Sequence, residues 1–409
     1  MGSKVILYEE EKNCCACGAC ENVCPTKAIK MKKNTYGYMY PEVDEILCVQ
    51  CKRCKEVCSF QKNNLFETTK EVYAACALDY DKLYESSSGG VFTVLANHII
   101  NDNGCVYGCA LEFENKSLVP KHIRIDNVND LMKVKGSKYV QSKIGNVYKL
   151  VKEDLENERR VLFSGTPCQV DGLKGFLGMK NYPNLLTVDI ICHGVPSEQI
   201  FHDYVKLLED KQNSNIIDFK FRDKKYGWGL QGTITYKAKN KIRNKILSTR
   251  VSSYYQLFMN GEIYRESCYN CKYACSARVS DVTLGDYWGI QQVHPEYLYQ
   301  NGGPYIREKG ISCIILNSAK GKAMIDDCKS QLLLKRSSFQ NVASNNGQLN
   351  RPSSEGKNRS HILSLYKNGG YKEVEKWFNK HLGKKRYMYL IWDGLPNSVK
   401  MFIWKIRHI

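Results

Sequence analysis

The sequence lacks the features of a membrane-spanning or exported protein. It contains no run of roughly eighteen consecutive apolar residues, so we predict no transmembrane helix. The chain starts Met1-Gly2-Ser3-Lys4 without an apolar signal segment, and we therefore expect a reducing, cytoplasmic location. It also lacks any nucleic-acid-binding motif, although its formal net charge is +18, so we do not expect a nucleic-acid partner.

Histidine is missing from the densest cysteine groups of the chain, which has nineteen cysteines in 409 residues. Two runs share the spacing C-x₂-C-x₂-C-x₃-C, and Pro25 follows the first. This doubled spacing is typical of a bacterial two-cluster ferredoxin, in which the fourth cysteine of each run serves the other cluster. A pair of zinc sites is the alternative, because zinc also binds thiolates.

The spacing assigns eight cysteines to two 4Fe-4S clusters. One cluster takes Cys14, Cys17, Cys20 and Cys58, and the other takes Cys48, Cys51, Cys54 and Cys24. Ferredoxin domains carry single electrons without acting on a substrate, so the remaining part of the chain must decide what the electrons do.

Two turns rich in serine and glycine follow the ferredoxin region. Residues 72–77 read as a buried strand, and the turn Ser86-Ser87-Ser88-Gly89-Gly90 separates it from an apolar helical run. Exposed N–H groups at such a helix start can bind a phosphate, although many helices simply begin with serine. The second turn contains Gly136, Ser137, Lys138, Tyr139, Val140, Gln141 and Ser142. It could hold a ribityl or phosphate group or be an ordinary loop.

Two further cysteines follow predicted strands. Cys168 comes after the strand at 161–164, at the start of a helix, and Cys192 comes after the strand at 185–191. In open α/β sheets this edge is where ligands bind. With Cys268 and Cys271, which form a C-x₂-C pair, these thiols would suffice for a third cubane or for a structural zinc, and Cys275 is an alternative ligand.

The last forty residues are basic and interleaved with aromatic residues. Cations such as Lys384, Lys385 and Arg386 alternate with apolar side chains, among them Tyr387, Tyr389, Trp392, Met401, Phe402, Trp404 and Ile406. Such a segment could lie on an anionic membrane, or it could be a helix packed on the protein's own core.

These motifs, in this order, resemble the family of β-subunits of coenzyme F-420 hydrogenase and dehydrogenase, in its form with a fused N-terminal ferredoxin domain. The resemblance rests on Ser86–Gly90, Gly136–Ser142, Gly165–Gln169, Cys192–Ser197, Phe221-Arg222 with Gly227-Trp228, Cys268-x-x-Cys271 and Ser280–Gly289. The sequence is most similar to the branch associated with polysaccharide biosynthesis.

The resemblance implies an iron–sulfur flavoprotein. Its cofactors would be two 4Fe-4S clusters, a third one on Cys168, Cys192, Cys268 and Cys271, and FAD. The Ser86–Gly90 turn would hold the FAD pyrophosphate, and the Gly136–Ser142 turn would lie near the flavin. Lys138 and His193 are the candidate catalytic residues, with a structural role as the alternative for His193; Arg222 and Asp286 are candidate substrate contacts. A flavin exchanges both one and two electrons, so it can link cubanes to a hydride carrier such as coenzyme F-420.

The expected fold is α/β, with a mixed-sheet flavin domain behind the ferredoxin domain. We predict four parts: the ferredoxin domain at 1–66, an FAD-binding part at 67–150, a domain with the third cluster at 151–350, and a basic aromatic tail at 351–409. We expect an oxidoreductase that acts on a small or sugar-derived substrate or on F-420. The alternative is an electron-transfer subunit that feeds a partner enzyme; both versions need a redox partner, and both allow peripheral membrane contact.

Overall fold

A computed structural model describes residues 5–62, 71–238 and 241–395. Met401, Phe402, Trp404 and Ile406 of the basic aromatic tail, which could lie on a membrane or pack on the protein's own core, lie outside this part of the chain.

Thirteen strands occur in the described residues, and they form three sheets. Their bounds are β1 (Ile29–Lys33), β2 (Met39–Val43), β3 (Glu71–Ala77), β4 (Cys105–Glu114), β5 (Ser117–Ile125), β6 (Val161–Gly165), β7 (Leu185–Ile190), β8 (Ile216–Lys220), β9 (Gly232–Ala238), β10 (Lys241–Leu247), β11 (Val282–Asp286), β12 (Ser312–Leu316) and β13 (Leu332–Ser337).

The helices of the described residues are mostly short. They are α1 (Ala19–Val23), α2 (Arg53–Glu56), α3 (Tyr80–Tyr84), α4 (Val91–Asn101), α5 (Leu131–Val134), α6 (Val147–Glu156), α7 (Pro167–Phe176), α8 (Glu198–Gln212), α9 (Ser253–Met259), α10 (Glu266–Tyr269), α11 (Ile290–Val293), α12 (Ala319–Cys328), α13 (Phe339–Ala343), α14 (Arg359–Leu382) and α15 (Lys385–Gly394). The backbone at Gly370 leaves the helical region and kinks α14.

The main sheet has eight strands in the order β13-β3-β12-β11-β7-β6-β4-β5. Its centre is parallel, since β11, β7, β6 and β4 pair in parallel, whereas the remaining pairs are antiparallel. The predicted α/β class with a mixed sheet is therefore confirmed. Between the two cysteine runs, β1 and β2 pair in antiparallel fashion and form a hairpin.

The central strands are buried on both faces. Along β6, Leu162 contributes to a core that includes α4 and α12, while Val161 and Phe163 contribute to a second core that includes α6 and α7. Successive side chains of a strand point to opposite faces, so helices cover the sheet on both sides. The N-terminal region packs on the second side, where Ala19 and Val57 join the core of α6 and α7.

A third core connects the small sheet of β8, β9 and β10 to three helices. Residues of α8 and α9 pack there against Ile362 and Val374 of α14. The tail predicted at 351–409 therefore begins with a helix that belongs to the protein core. We attribute this difference between the predicted tail and the observed helix to the apolar residues of α14. Their helical spacing is hard to recognise in the sequence because many cations lie between them.

Candidate functional site

The two N-terminal cysteine runs fold in the same way. Ala16 and Gln50, which occupy equivalent positions, both have a φ of 53°, and the residues that follow the second cysteines, Gly18 and Lys52, have φ values of 77° and 62°. Non-glycine residues seldom adopt such angles, and they concentrate at functional sites. The repeated backbone thus wraps each run around its own centre.

Two cavities collect the eight cysteines in the predicted sets. One cavity is lined by Cys14, Cys17, Cys20 and Cys58, with Cys15 and Cys54 also at its wall. The other is lined by Cys24, Cys48, Cys51 and Cys54. The last cysteine of each run therefore reaches the other run's cavity, as cubane ligation in a two-cluster ferredoxin requires.

The first cavity is buried, whereas the second lies nearer the surface. Burial raises the pKa of Cys20, and the nearby thiolates of Cys17, Cys14 and Cys58 raise it further. In contrast, Cys51 of the second cavity is exposed. The second set of cysteines is therefore less enclosed than the first.

Four cysteines from three segments meet at a third site. Burial raises the pKa of Cys192, and the thiolates of Cys268, Cys168 and Cys271 add to this effect in that order. Burial also raises the pKa of Cys268 to about 12 and that of Cys271 to about 11. Such close neighbours would repel one another as free thiolates, and a metal centre removes that repulsion.

The local sequence explains how the third site is positioned. Cys168 lies in the first turn of α7, where the Thr166 backbone N–H donates to Gln169 Oε1 and the Thr166 hydroxyl lies 3.1 Å from Cys168 Sγ. Cys192 follows β7, which is parallel to β6, and Cys268 lies on α10. The alternative ligand, Cys275, instead donates its thiol to the carbonyls of Lys272 and Ala277.

The spacing of the thiols bears on the zinc alternative. Among the residues that the structure describes, no three Cys, His, Asp or Glu side chains converge closely enough to hold one metal ion. A tetrahedral zinc needs its thiolates about 2.3 Å from a single centre. A cubane, by contrast, is bound through four separate irons at its corners.

Cys15 joins the first and third sites, and its spacing alone did not single it out. Its buried thiol lies within hydrogen-bonding reach of both Cys17 and Cys168. This hydrogen bond from Cys15 is the main reason why the pKa of Cys168 is lowered to about 7. Gly172 of α7 makes the close approach feasible, because a Cβ there would lie 2.8 Å from Cys17 Sγ.

The two turns predicted to bind FAD are in contact. The Ser137 backbone N–H donates to Ser87 Oγ at 2.9 Å. The hydroxyls of Ser86 and Ser88 donate to the carbonyls of Lys82 and Ile311. Gly89 is needed for packing, since a Cβ there would lie 2.2 Å from the Ala75 carbonyl oxygen. A Cβ on Gly136 would have only Ser87 Oγ nearby, at 3.7 Å, so this turn leaves room beside it.

Cations surround these turns. The ammonium of Lys138 donates to the carbonyls of Lys133 and Lys135, and burial lowers its pKa to about 8. Lys224, which the sequence did not single out, donates to the carbonyls of Leu83 and Ser88, and burial lowers its pKa to about 7. The turns therefore suit an anionic group.

An aromatic and charged group of residues stands beside them. Trp228 and Trp288 stack with ring centroids 4.7 Å apart, and Asp286 accepts hydrogen bonds from Trp228 and Arg222. Arg222 Nη2 is buried without a hydrogen-bond partner of its own. The side chain of His193 is exposed. Its surroundings nevertheless desolvate the imidazole and lower its pKa, and the negative charge of Asp286 opposes this shift.

One loop connects both parts of the site. Its start contacts the Ser86–Gly90 turn through Ser137, and its end contacts the cluster junction through Gln141, whose Nε2 donates to the Cys15 carbonyl. The Gln141 side chain also accepts a hydrogen bond from Arg265, so both of its polar atoms have protein partners. The Ser142 hydroxyl pairs with buried His122. Tyr139 stacks on Phe258, with their ring centroids 4.7 Å apart.

Two family models match the chain. Residues 13–62 match the 4Fe-4S dicluster domain, and residues 158–341 match the C terminus of the coenzyme F420 hydrogenase/dehydrogenase beta subunit. The predicted family resemblance is thereby confirmed. The first match includes the cysteines of the first two sites, and the second match includes those of the third site.

Two curated relatives are similar to parts of the chain. One subunit of the F(420)H(2) dehydrogenase of Methanosarcina mazei is 24% identical over 233 residues, which are 53% of this chain and 63% of that protein. The coenzyme F420-dependent sulfite reductase of Methanocaldococcus jannaschii is 28% identical over 168 residues, 39% of this chain and 24% of that protein. The chain thus spans less than two thirds of either relative.

A solved structure is also similar. A chain from the xenon-derivatised F420-reducing [NiFe] hydrogenase complex of Methanosarcina barkeri is 14% identical, with a TM-score of 0.41 over 80% of this chain and 97% of that one. The relation to coenzyme F420 enzymes therefore rests on the sequence matches.

Proposed function

We propose that this chain is an iron–sulfur flavoprotein oxidoreductase, because residues 158–341 match the C terminus of the coenzyme F420 hydrogenase/dehydrogenase beta subunit and residues 13–62 match the 4Fe-4S dicluster domain. Electrons would pass between the dicluster domain, a third 4Fe-4S cluster and FAD. The third cluster would be held by Cys168, Cys192, Cys268 and Cys271.

The observation that carries this proposal is the junction at Cys15. Its buried thiol lies within hydrogen-bonding reach of one cysteine of the first set and one of the third, and Cys17 packs directly on α7, the helix that begins beside Cys168. An electron-transfer chain needs such short separations, whereas two unrelated structural metal sites do not. The exposed second site and the buried third site then form the two ends of a path.

The FAD would occupy the room beside the two contacting turns. Ser87, Gly136 and Ser137 would face its phosphates, and Lys138 and Lys224 supply positive charge. Arg222 Nη2 supplies a buried donor that lacks an acceptor. FAD would convert single electrons from the clusters into the two-electron chemistry of an organic substrate.

Within this site His193 would hold a proton. The residue is accessible to solvent yet partly enclosed, and its lowered pKa favours the neutral form, which can accept a proton from a substrate or return one. The substrate would be coenzyme F420, as the names of the relatives suggest, or a sugar-derived compound, as the resemblance to the polysaccharide branch suggests.

A second candidate is an electron-transfer subunit that serves a partner enzyme. The M. mazei relative is itself named as a subunit, which favours this version. The two versions differ in turnover by the isolated chain. Reduced F420, or a candidate sugar substrate, should be turned over by the chain alone with an artificial electron acceptor or donor in the first version and should need the partner in the second.

The cluster assignment is tested by replacing one predicted third-site ligand. Cys168→Ala should lower the iron content of anaerobically purified protein by about four irons per chain, because a cubane with three thiolates is lost on purification. The two clusters of the dicluster domain should stay, and electron paramagnetic resonance should still detect them.

Cys275→Ala is the matched control, since its thiol is bound to two carbonyls and it should keep all the iron. Full iron in Cys168→Ala, or loss of iron in Cys275→Ala instead, would contradict the assignment.

A further inference from the structure

Arg265 is one of the most deeply buried large side chains in the described residues, with 1% of its surface exposed. Its Nε donates to the Cys14 carbonyl at 3.2 Å, Nη1 to Gln141 Oε1 at 2.8 Å, and Nη2 to the Met39 carbonyl at 2.9 Å. The guanidinium also lies 4.4 Å from the centroid of the Tyr40 ring. All of these partners are formally neutral.

A buried guanidinium usually has a carboxylate beside it, because an uncompensated charge in the interior costs several kcal/mol or more. Arg278 and Arg359, which are also buried, pair with Asp189 and Glu266. Among the described residues, no carboxylate forms an ion pair with Arg265. The groups that act on its charge are Tyr40 and the thiols of Cys14, Cys268 and Cys15, and together they raise its pKa although burial opposes this.

These thiols belong to two different sites. Cys14 lines the first cavity, and Cys268 belongs to the third set. Arg265 reaches both because it is the residue before α10, three positions ahead of Cys268, and its side chain extends to the loop that carries Cys14. Gln141 holds this arrangement from the other side, bonding both Arg265 and the Cys15 carbonyl.

We propose that Arg265 is a positioning residue that supplies one buried counter-charge for two clusters at once, the Cys14 set and the Cys168 set, and thereby raises the reduction potential of both. The inference rests on the proposed cluster assignment. A cubane with four thiolate ligands is an anion that becomes more negative on reduction, so a nearby fixed cation favours the reduced form. A cation near both centres shifts both potentials in the same direction.

The test is a redox titration of anaerobic, iron-loaded protein, followed by electron paramagnetic resonance. Arg265→Gln should lower the potentials of both clusters by at least about 59 mV, which corresponds to a tenfold change in a one-electron equilibrium. Arg265→Lys keeps the charge and should lower them less. Arg124→Gln removes a charge that is paired with Asp154, and it should leave both potentials unchanged.

Gln141→Glu is a second variant in case Arg265→Gln loses iron. It keeps the guanidinium of Arg265 but places a carboxylate beside it. The carboxylate neutralises the positive charge, so the reduction potentials of both clusters should fall as well. Unchanged potentials in iron-complete Arg265→Gln, or in Gln141→Glu where the first variant loses iron, would overturn the proposal. A shift in only one cluster would also overturn it.

The two proposals can fail separately. About eight irons in the unaltered chain would remove the third cluster and with it the proposed function. About twelve irons with potentials that do not respond to Arg265 would leave the function and remove only the role of Arg265.

Discussion

At the residue scale, the sequence predicts what spacing encodes and misses what only the fold assembles. The doubled cysteine runs predict binding of 4Fe-4S clusters by themselves, because the spacing of the ligands within a run is visible in the local sequence. Cys15 is adjacent to Cys14 and outside that spacing, so nothing local indicates that its thiol contacts both Cys17 and Cys168. Arg265 is one basic residue among sixty in the sequence. Its importance follows from its burial and from the lack of a carboxylate partner among the residues that the structure describes. Both are properties of the folded chain.

His122 gives a prediction at the same scale. Its ring is buried, stacks on Phe163, and bonds Ser142 Oγ and the Ser164 carbonyl. Burial lowers its pKa from 6.5 to about 4, so the unfolded chain binds a proton there before the folded chain does. The stabilisation is therefore present above pH 6.5 and is lost as the pH falls towards 4. Between pH 7 and 5 the free energy of unfolding should fall by about 2 kcal/mol from this group.

Urea unfolding at several pH values measures this effect. His122→Gln should flatten the dependence on pH in that window, whereas His361→Gln, which changes an exposed histidine, should not. An equal slope in the His122→Gln variant would show that the buried imidazole is not responsible.

At the scale of elements, the sequence correctly predicts the order of strand, helix and strand around Cys168 and Cys192. The buried runs at 161–164 and 185–191 become the parallel strands β6 and β7, and α7 joins them. The way the dicluster domain packs on α7 was not predictable. It depends on Gly172 and Gly175, where a Cβ would lie 2.7 Å from Cys17 Cβ and 2.3 Å from Ser59 Oγ. Glycines inside a helix pattern do not reveal which neighbour needs the space.

Gly172→Ala tests this packing. The added methyl group must push α7 away from Cys17, and we expect a loss of about 1–3 kcal/mol in stability together with a disturbed signal from the first cluster. Iron content, electron paramagnetic resonance and urea unfolding report on it. Gly347→Ala is the control, since a Cβ there has nothing within 4 Å. If both variants kept the same iron and stability, the close packing of α7 on Cys17 would be refuted.

At the scale of the whole molecule, the residues that the structure describes include no helix long and apolar enough to cross a membrane. The net charge of +18 does not show where in the folded chain the excess positive charge lies. Part of this positive charge lies beside the Ser86–Gly90 and Gly136–Ser142 turns, on Lys138 and Lys224. Another part lies near α15, whose apolar residues Tyr387, Met388, Leu390 and Ile391 are exposed.

This exposed face leads to a prediction about membranes. Deletion of residues 384–409 removes α15 and the stretch outside the described residues, and it should lower the fraction of protein that sediments with anionic lipid vesicles. Zwitterionic vesicles are the control, because the basic charge of the tail should matter only on an anionic surface. Equal sedimentation of the full-length and shortened chains would end the membrane proposal.

The central claim is that one chain holds three clusters arranged around Cys15 and Arg265, with a flavin beside them. The most direct measurement is the iron, acid-labile sulfide and flavin content of anaerobically purified protein. Three cubanes predict about twelve irons and about twelve sulfides per chain, together with about one FAD released on denaturation. About eight irons and no flavin, or stoichiometric zinc in colourless protein, would contradict the account.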